Sequence, residues 1–293
     1  MQLSEKVRAI IALMRVPYIL MLDFLCLLFI VTFQKGFHEP ELVGLAVITV
    51  ALVTAGGAAI NDYCDRDSDA LTHLERPIPA NRISPAHAAQ FSALMFLAGL
   101  CVSFAINSVA FGIVAVNVVL FIAYPRVVKR FSGFLSNLVM GYLGATIAIF
   151  AGAVVFQTIN AASLSFVGLI AGGAIGLNVL KDVLTLEGDL KIGYPTLAAT
   201  HGVRIAAIVG AFFLLLSAIT SPVPYFVGAV GVVYLLAISV WGAIVVVTAL
   251  PLLIAPDAKN VQRRVMIFTR SFPYLAAFAC VVYALSAVVW GIV

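Results

Sequence analysis

Charge is what this chain most lacks. Only 10% of its 293 residues are Asp, Glu, Lys or Arg, and 63% are hydrophobic. A soluble domain carries about 25% charged residues and cannot bury so large an apolar fraction, so a water-soluble fold is excluded. Cysteine is sparse too. The four thiols stand singly at 26, 64, 101 and 280, which excludes a disulfide framework, a Cys-based zinc site and a paired-thiol redox motif. The apolar runs show no strict alternation, so a membrane barrel is excluded and the spanning elements are helices that satisfy their own backbone. The net charge of +4 comes with no long basic run, so nucleic acid is not a partner. Met1 to Arg15 is too polar and interrupted for a cleaved signal sequence.

The apolar runs are present in quantity. A window of about 20 residues predicts an all-α, multi-span membrane helical bundle of about nine transmembrane helices with cytoplasmic cap loops. The spans are 10–34, 42–60, 86–106, 108–124, 138–157, 161–180, 204–220, 225–250 and 270–291. Alternating the loops across the membrane puts sixteen of the seventeen Lys and Arg residues on one side and only Lys35 on the other. The positive-inside rule then predicts a cytoplasmic N-terminus, cytoplasmic polar loops and an outside C-terminus. The chain reads as a single transmembrane domain over 1–293. A faint echo between Asn61 with its acids and Asn178, Lys181 and Asp182 suggests two four-helix halves, about 10–124 and 138–250, plus a final helix 270–291.

At the end of the second span stands Asn61-Asp62-Tyr63-Cys64-Asp65-Arg66-Asp67-Ser68-Asp69. Ionisable groups against a membrane helix are costly and mark function by default. On a helix continuing through the motif, Asn61, Asp65 and Asp69 stack at i, i+4 and i+8, with Asp62 beside them. Such a face repels itself unless a cation neutralises it, and oxygen-only donors suit Mg²⁺. Because Mg²⁺ is held by one or two carboxylates plus phosphate oxygens, a phosphorylated ligand is implied. Cys64 is a spacer, its thiolate being too soft for that ion.

Two further polar segments carry complementary groups. The 125–137 segment supplies Lys129 and Arg130, and the 181–204 segment supplies Lys181, Asp182, Glu187, Asp189 and Lys191. If the sixth span continues as helix, Asn178, Asp182, Thr185 and Asp189 share a face at spacings of 4, 3 and 4. Acids interleaved with Arg76, Arg82, Lys129 and Lys191 describe a Mg²⁺–diphosphate cradle, in which guanidinium forks take the oxygens left by the metal. Two such faces opposed across a cleft would stabilise a diphosphate leaving group, with an apolar chamber for its tail. The blander readings are a positive-inside anchor for Arg76, Arg82, Lys129 and Arg130, and a helix–helix hydrogen bond for Asn117 and Asn137. Asp23, in mid-span, pairs with Arg15 or with another helix, or else takes a role with the substrate. His73, His87 and His201 sit at no metal spacing.

Asn-Asp-x-x-Asp-x-x-x-Asp at 61–69, Arg-Pro-Ile-Pro at 76–79 and Arg82-Ile83-Ser84 together resemble the UbiA superfamily of intramembrane prenyltransferases. So do Tyr124 with Lys129, Asn137, and Glu187-Gly188-Asp189-Leu190-Lys191-Ile192-Gly193 leading to Thr196-Leu197. The resemblance runs from about residue 10 to the end. It implies a nine-helix bundle capped over a central cavity, and Mg²⁺-dependent transfer of a prenyl group from its diphosphate to a hydrophobic acceptor in the membrane. It implies metal ligation by Asn61, Asp65, Asp69, Asp182 and Asp189. Substrate contacts fall to Arg15, Asn61, Arg76, Arg82, Tyr124, Lys129, Asn178, Lys181 and Lys191, and Asp62 would take a proton from the acceptor. The motif forms look most like the branch that alkylates a glyceryl-phosphate ether lipid with a geranylgeranyl group, for which Arg15 with Arg126 or Arg130 supplies extra cationic groups. An aromatic acceptor such as 4-hydroxybenzoate or homogentisate is the alternative. Thr185 departs from the pattern, standing where the family carries the middle Asp of its second motif, and Tyr18 stands where relatives often carry Asn. Outside enzymes, an ion-coupled transporter fits Asp23 and the two halves, and an inactive relative fits Thr185.

Overall fold

The computed structural model describes residues 3–254 together with 261–263, 265, 266 and 270. No strand occurs among them. The helices run in order as α1 Leu3–Met14, α2 Val16–Phe33, α3 Pro40–Thr72, α4 Pro85–Ile106, α5 Ser108–Ala123, α6 Lys129–Phe131, α7 Gly133–Phe156, α8 Ala161–Leu164, α9 Val167–Leu184, α10 Leu186–Ile192, α11 Leu197–Thr220, α12 Val223–Phe226 and α13 Val232–Ile254. A π-helical turn, Tyr124–Val128, joins α5 to α6. Eight helical stretches are long and apolar enough to cross a membrane. Side chains such as Leu97, Phe104, Ile219 and Val247 stand 61–73% exposed along them, a surface that only lipid solvates at low cost. The protein is an integral membrane protein. The expected last span, 270–291, lies outside the described residues.

Several boundaries differ from the sequence expectation, each for a local reason. The first span starts at Val16 instead of residue 10, because Arg15 takes a left-handed conformation (φ 55°) and ends α1. Pro17, in the first turn of α2, has no N–H to continue the preceding ladder. The 125–137 segment is no loop: it is the π-helical turn followed by α6. The last described span begins at Val232 rather than 225, because Pro222 and Pro224 confine the intervening chain to the single turn of α12. At the other bends the polar residues act as caps. Asn107 accepts from the Ala110 amide at 2.8 Å to start α5, and Asn160 accepts from Ser163 at 3.0 Å to start α8, satisfying amides that a helix start leaves without partners.

The chain divides into two compact units. One comprises Met1–Leu27 and Glu39–Val128, and the other Leu28–His38 and the chain from Lys129 onward. In the first unit α3 is central, packing on α1, α4 and α5. In the second, α9 packs on α7 and α11, and α11 on α13. The approach of α9 to α11 depends on glycine: a Cβ on Gly176 would lie 2.7 Å from the Gly210 carbonyl oxygen. Small residues let membrane helices pack backbone to backbone where no hydrophobic driving force separates helix from lipid.

Candidate active site

In the first unit, α3 runs unbroken through the acidic motif to Thr72. Asp62, Asp65 and Asp69 are therefore held on one inward face, with only 3%, 5% and 4% exposure. Asp67, two positions from both Asp65 and Asp69 and so on the opposite side of the helix, leaves 86% of its side chain in solvent beside Arg66. The helix period sorts the four carboxylates into three buried and one exposed.

Buried carboxylates need partners, and two arginines supply them. Arg15 Nη2 donates to Asp62 Oδ1 at 2.5 Å. Arg76 Nη1 donates to Asp69 Oδ2 at 2.5 Å and lies 3.6 Å from Asp62 Oδ1. Asn61 Nδ2 donates to Asp65 Oδ2 at 3.1 Å, a bond that turns the amide oxygen away from that carboxylate. Arg15 reaches Asp62 from the left-handed bend between α1 and α2. It is therefore not the partner of Asp23, and that expected pair is replaced because the carboxylates at the helix end are nearer the bend.

Arg76 is positioned by the segment that follows it. Ile78 is 7% exposed and packs with Leu13 of α1, Ala59 of α3 and Ala88 of α4, with Tyr63, Ile83 and Phe91 against the cluster. Burying one such side chain is worth about 2 kcal/mol. The turn closes through Ala80 N to Arg76 O at 3.0 Å and Arg82 N to Pro77 O at 2.9 Å. Arg82 itself is exposed, and its guanidinium donates to the Glu75 carbonyl oxygen. The two arginines that looked equivalent in sequence are therefore divided: Arg76 faces the acids, and Arg82 secures the turn.

In the second unit the acids are held by neutral donors. Asn137 Nδ2, from α7, donates to Asp182 Oδ2 at 3.0 Å, and Thr185 Oγ1 donates to Asp189 Oδ2 at 3.0 Å. The expected continuous helix is broken at Thr185, which ends α9 and starts α10 with φ −98° and ψ 5°. Its hydroxyl also faces the Lys181 carbonyl at 3.4 Å, the kind of side-chain bond that competes with helix continuation. Asp189 N still bonds Thr185 O at 3.0 Å, so both acids remain at one end of α9. Lys129 Nζ lies 4.5 Å from the centroid of the Tyr194 ring, a cation–π contact. Burial raises the Asp189 pKa, against the lowering effects of hydrogen bonds from Thr185 and Thr196 and of the Lys129 charge. Gly133 admits this arrangement, since its amide bonds Pro195 O at 2.9 Å where a Cβ would collide with the Thr196 backbone.

The remaining expected contacts are less enclosed. Lys181, Lys191, Arg126, Arg130 and Glu187 are exposed, and Asn178 and Tyr124 are half-buried. Tyr18 is 44% exposed. Asn137 and Thr196, which the sequence marks for the resemblance without a site role, and Tyr194, which it does not mark, shape the second site. Tyr194-Pro195-Thr196, directly after the left-handed Gly193 (φ 74°), is the sequence signal that marks a fixed turn there.

Among the described residues no three His, Cys, Asp or Glu side chains gather tightly enough to hold a metal ion by themselves. The donor sets nonetheless fit a hard cation completed by a ligand's phosphate oxygens. All donors are oxygens, they come in close pairs at helix ends, and cationic groups stand beside them to take the remaining anionic oxygens.

Comparison with known proteins shows the family. A model of the UbiA prenyltransferase family matches residues 24–272. Among curated relatives, the digeranylgeranylglyceryl phosphate synthase of Natronomonas pharaonis is 34% identical over 203 residues, 69% of this chain and 73% of the relative. That of Methanosarcina mazei is 36% identical over 197 residues, 67% of this chain and 68% of the relative. That of Methanopyrus kandleri is 34% identical over 224 residues, 76% and 82% of the two chains. A solved structure described as digeranylgeranylglyceryl phosphate synthase in membranes superposes with a TM-score of 0.82 at 23% identity, covering 97% of this chain and 99% of that one. A UbiA homologue from Archaeoglobus fulgidus bound to DMAPP and Mg²⁺ does so with a TM-score of 0.68 at 17% identity, covering 96% and 99%. The chain belongs to the UbiA prenyltransferase family.

Proposed function

We propose that the protein transfers a geranylgeranyl group from its diphosphate to the free hydroxyl of a prenylated glyceryl phosphate, forming a second ether. The acceptor follows from the curated relatives, whose named product carries two geranylgeranyl groups on glyceryl phosphate. The observation that carries the donor half is the buried Asp62, Asp65 and Asp69 face with Arg15 and Arg76 seated on it. Carboxylates and guanidiniums interleaved at this density suit a metal-bound diphosphate and suit no neutral ligand.

Asn61, Asp65 and Asp69 in the first unit, and Asp182 and Asp189 in the second, are the residues that would hold Mg²⁺. An ion bound at either set would supply positive charge to a leaving diphosphate. Arg76 uses one guanidinium nitrogen on Asp62 and Asp69, and the rest of its fork points donors at phosphate oxygens. Arg15, seated on the same oxygen of Asp62, does likewise. Lys129, held on the Tyr194 ring, brings a further positive charge, as do Lys181 and Lys191 at the rim. The apolar walls of the spans exclude water from the allylic cation until the acceptor attacks it. The whole chain acts as one transferase domain. The one-sided distribution of Lys and Arg supports an orientation with the N-terminus and the acidic helix ends towards the cytoplasm and the C-terminus outside.

Incubating the purified protein in lipid with labelled geranylgeranyl diphosphate and geranylgeranylglyceryl phosphate, with and without Mg²⁺, tests the proposal. Label should enter an ether lipid only with Mg²⁺. Label entering a phenolic acid instead, or transfer that persists in excess chelator, overturns the acceptor or the metal assignment respectively.

A further inference from the structure

Asp23 lies in the middle of α2 and takes no part in the acidic face just described. Its neighbours at helical spacing Ile19, Cys26 and Ile30 are buried, with 5%, 0% and 0% exposure, so the half-buried Asp23 lies on the inward side of the helix, at its edge. The other flank presents Leu20, Met21 and Phe24, at 62%, 48% and 43% exposure. The Asp23 Oδ1 atom is enclosed, yet it accepts no hydrogen bond from any described residue. The nearest arginine along the chain is committed to Asp62. A carboxylate on the inward face of a membrane helix without a donor is costly and calls for an explanation.

We propose that Asp23 receives the proton of the attacking hydroxyl. The inference rests on the transferase reading above and assigns a residue that the acidic motifs do not include. Arg15 stands at the bend that precedes α2, and Asp23 is seven residues past Val16, the first residue of that helix, about 10 Å along it at 1.5 Å per residue. That separation seats a phosphate at the Arg15 end and, at the other, the ester carbon with an incoming oxygen. An alcohol O–H supplies the donor that Asp23 lacks, and the carboxylate accepts its proton within hydrogen-bond reach. In the step, the C1–O bond to diphosphate breaks, its bonding pair leaving with the diphosphate, and the hydroxyl oxygen then forms its bond to C1 of the allylic cation. The proton passes to the Asp23 carboxylate, and water removes it after release. Apolar surroundings hold back competing water.

Asp23→Asn keeps the shape and removes the base. With the full chain in lipid, three quantities separate the roles: ether formation, equilibrium binding of a non-reactive thio-analogue of the donor diphosphate, and hydrolysis of the donor to free prenol. Ether formation should fall about 10²–10⁴-fold, the range for loss of a general base, while analogue binding stays within about twofold and prenol release persists. Asp23→Glu should restore part of the ether formation. Ether formation within about threefold of wild type in Asp23→Asn overturns the inference, because no such base is then needed. So does an equal loss of analogue binding in both variants, which marks Asp23 as structural. Wild-type protein that makes no ether with the glyceryl lipid sinks the acceptor reading instead. The same two variants then decide Asp23 on whichever phenolic acceptor the wild type alkylates.

Discussion

The two acidic sites solve one electrostatic problem with different materials. In the first unit three carboxylates are buried on an unbroken helix, and two guanidiniums sit among them. In the second, two carboxylates stand at a helix break and are held by an amide and a hydroxyl. Charge density decides the difference. Three carboxylates within two turns repel one another unless cations stand among them, whereas the two half-buried acids of the second site have Lys129 nearby and are oriented by neutral donors. The first site is therefore built to be strongly charged, and the second to be adjustable.

Removing charge from the first site should have the largest effect. Asp65→Asn leaves side-chain volume nearly unchanged and keeps a group that Asn61 can face. Turnover should drop about 10³-fold, comparable to the loss of one element of transition-state charge stabilisation. Thermal unfolding of the protein in detergent should change little. Near-normal turnover would remove Asp65 from the metal set and with it the distinction between the sites.

Removing a neutral donor from the second site should cost less. Asn137→Ala takes from Asp182 the hydrogen bond at 3.0 Å that fixes its carboxylate. Groups that orient a metal ligand in this way are typically worth about 10–100-fold in metal affinity. The Mg²⁺ concentration for half-maximal transfer should rise within that range, with maximal turnover recovered at high Mg²⁺. A loss of turnover that no Mg²⁺ concentration repairs would mean that Asn137 serves substrate or packing instead.

The first site was far more legible in the sequence than the second, and helix continuity is the reason. With α3 intact, spacing alone placed Asp62, Asp65 and Asp69 together and Asp67 apart. Spacing along α9 stopped being informative at Thr185, where the helix ends. The contributions of Tyr194 and Thr196 depend on the turn after Gly193, and long-range contacts such as Asn137 with Asp182 have no period to betray them. Arg76 and Arg82 show the same limit in miniature. Both follow the acids at similar distance, but only a buried Ile78 reveals which one the turn directs inward. Hydropathy located the spans because lipid solvation acts on every residue of a helix. It misplaced the start of α2 because one residue, Arg15, sets that boundary.

The smallest effect, and the one that most directly separates the sites, is expected at Thr185. Its hydroxyl stabilises ionised Asp189 against the burial that raises the pKa of that acid. Thr185→Val removes the donor and should raise the Asp189 pKa further, since a lost hydrogen bond to the charged form favours the neutral one. Metal ligation requires the ionised carboxylate, so the acid limb of the rate–pH profile should move to higher pH and the Mg²⁺ requirement should rise by roughly threefold. Thr185→Asp should act in the opposite direction on Mg²⁺, lowering the concentration needed, because a third carboxylate adds attraction for the ion. It brings no arginine with it, however, so mutual repulsion among the acids should raise the pH at which activity is lost at limiting Mg²⁺. If Thr185→Val and Thr185→Asp shift the Mg²⁺ requirement the same way, Thr185 acts through the helix break alone. The second site then owes its weakness to backbone geometry and not to its missing charge.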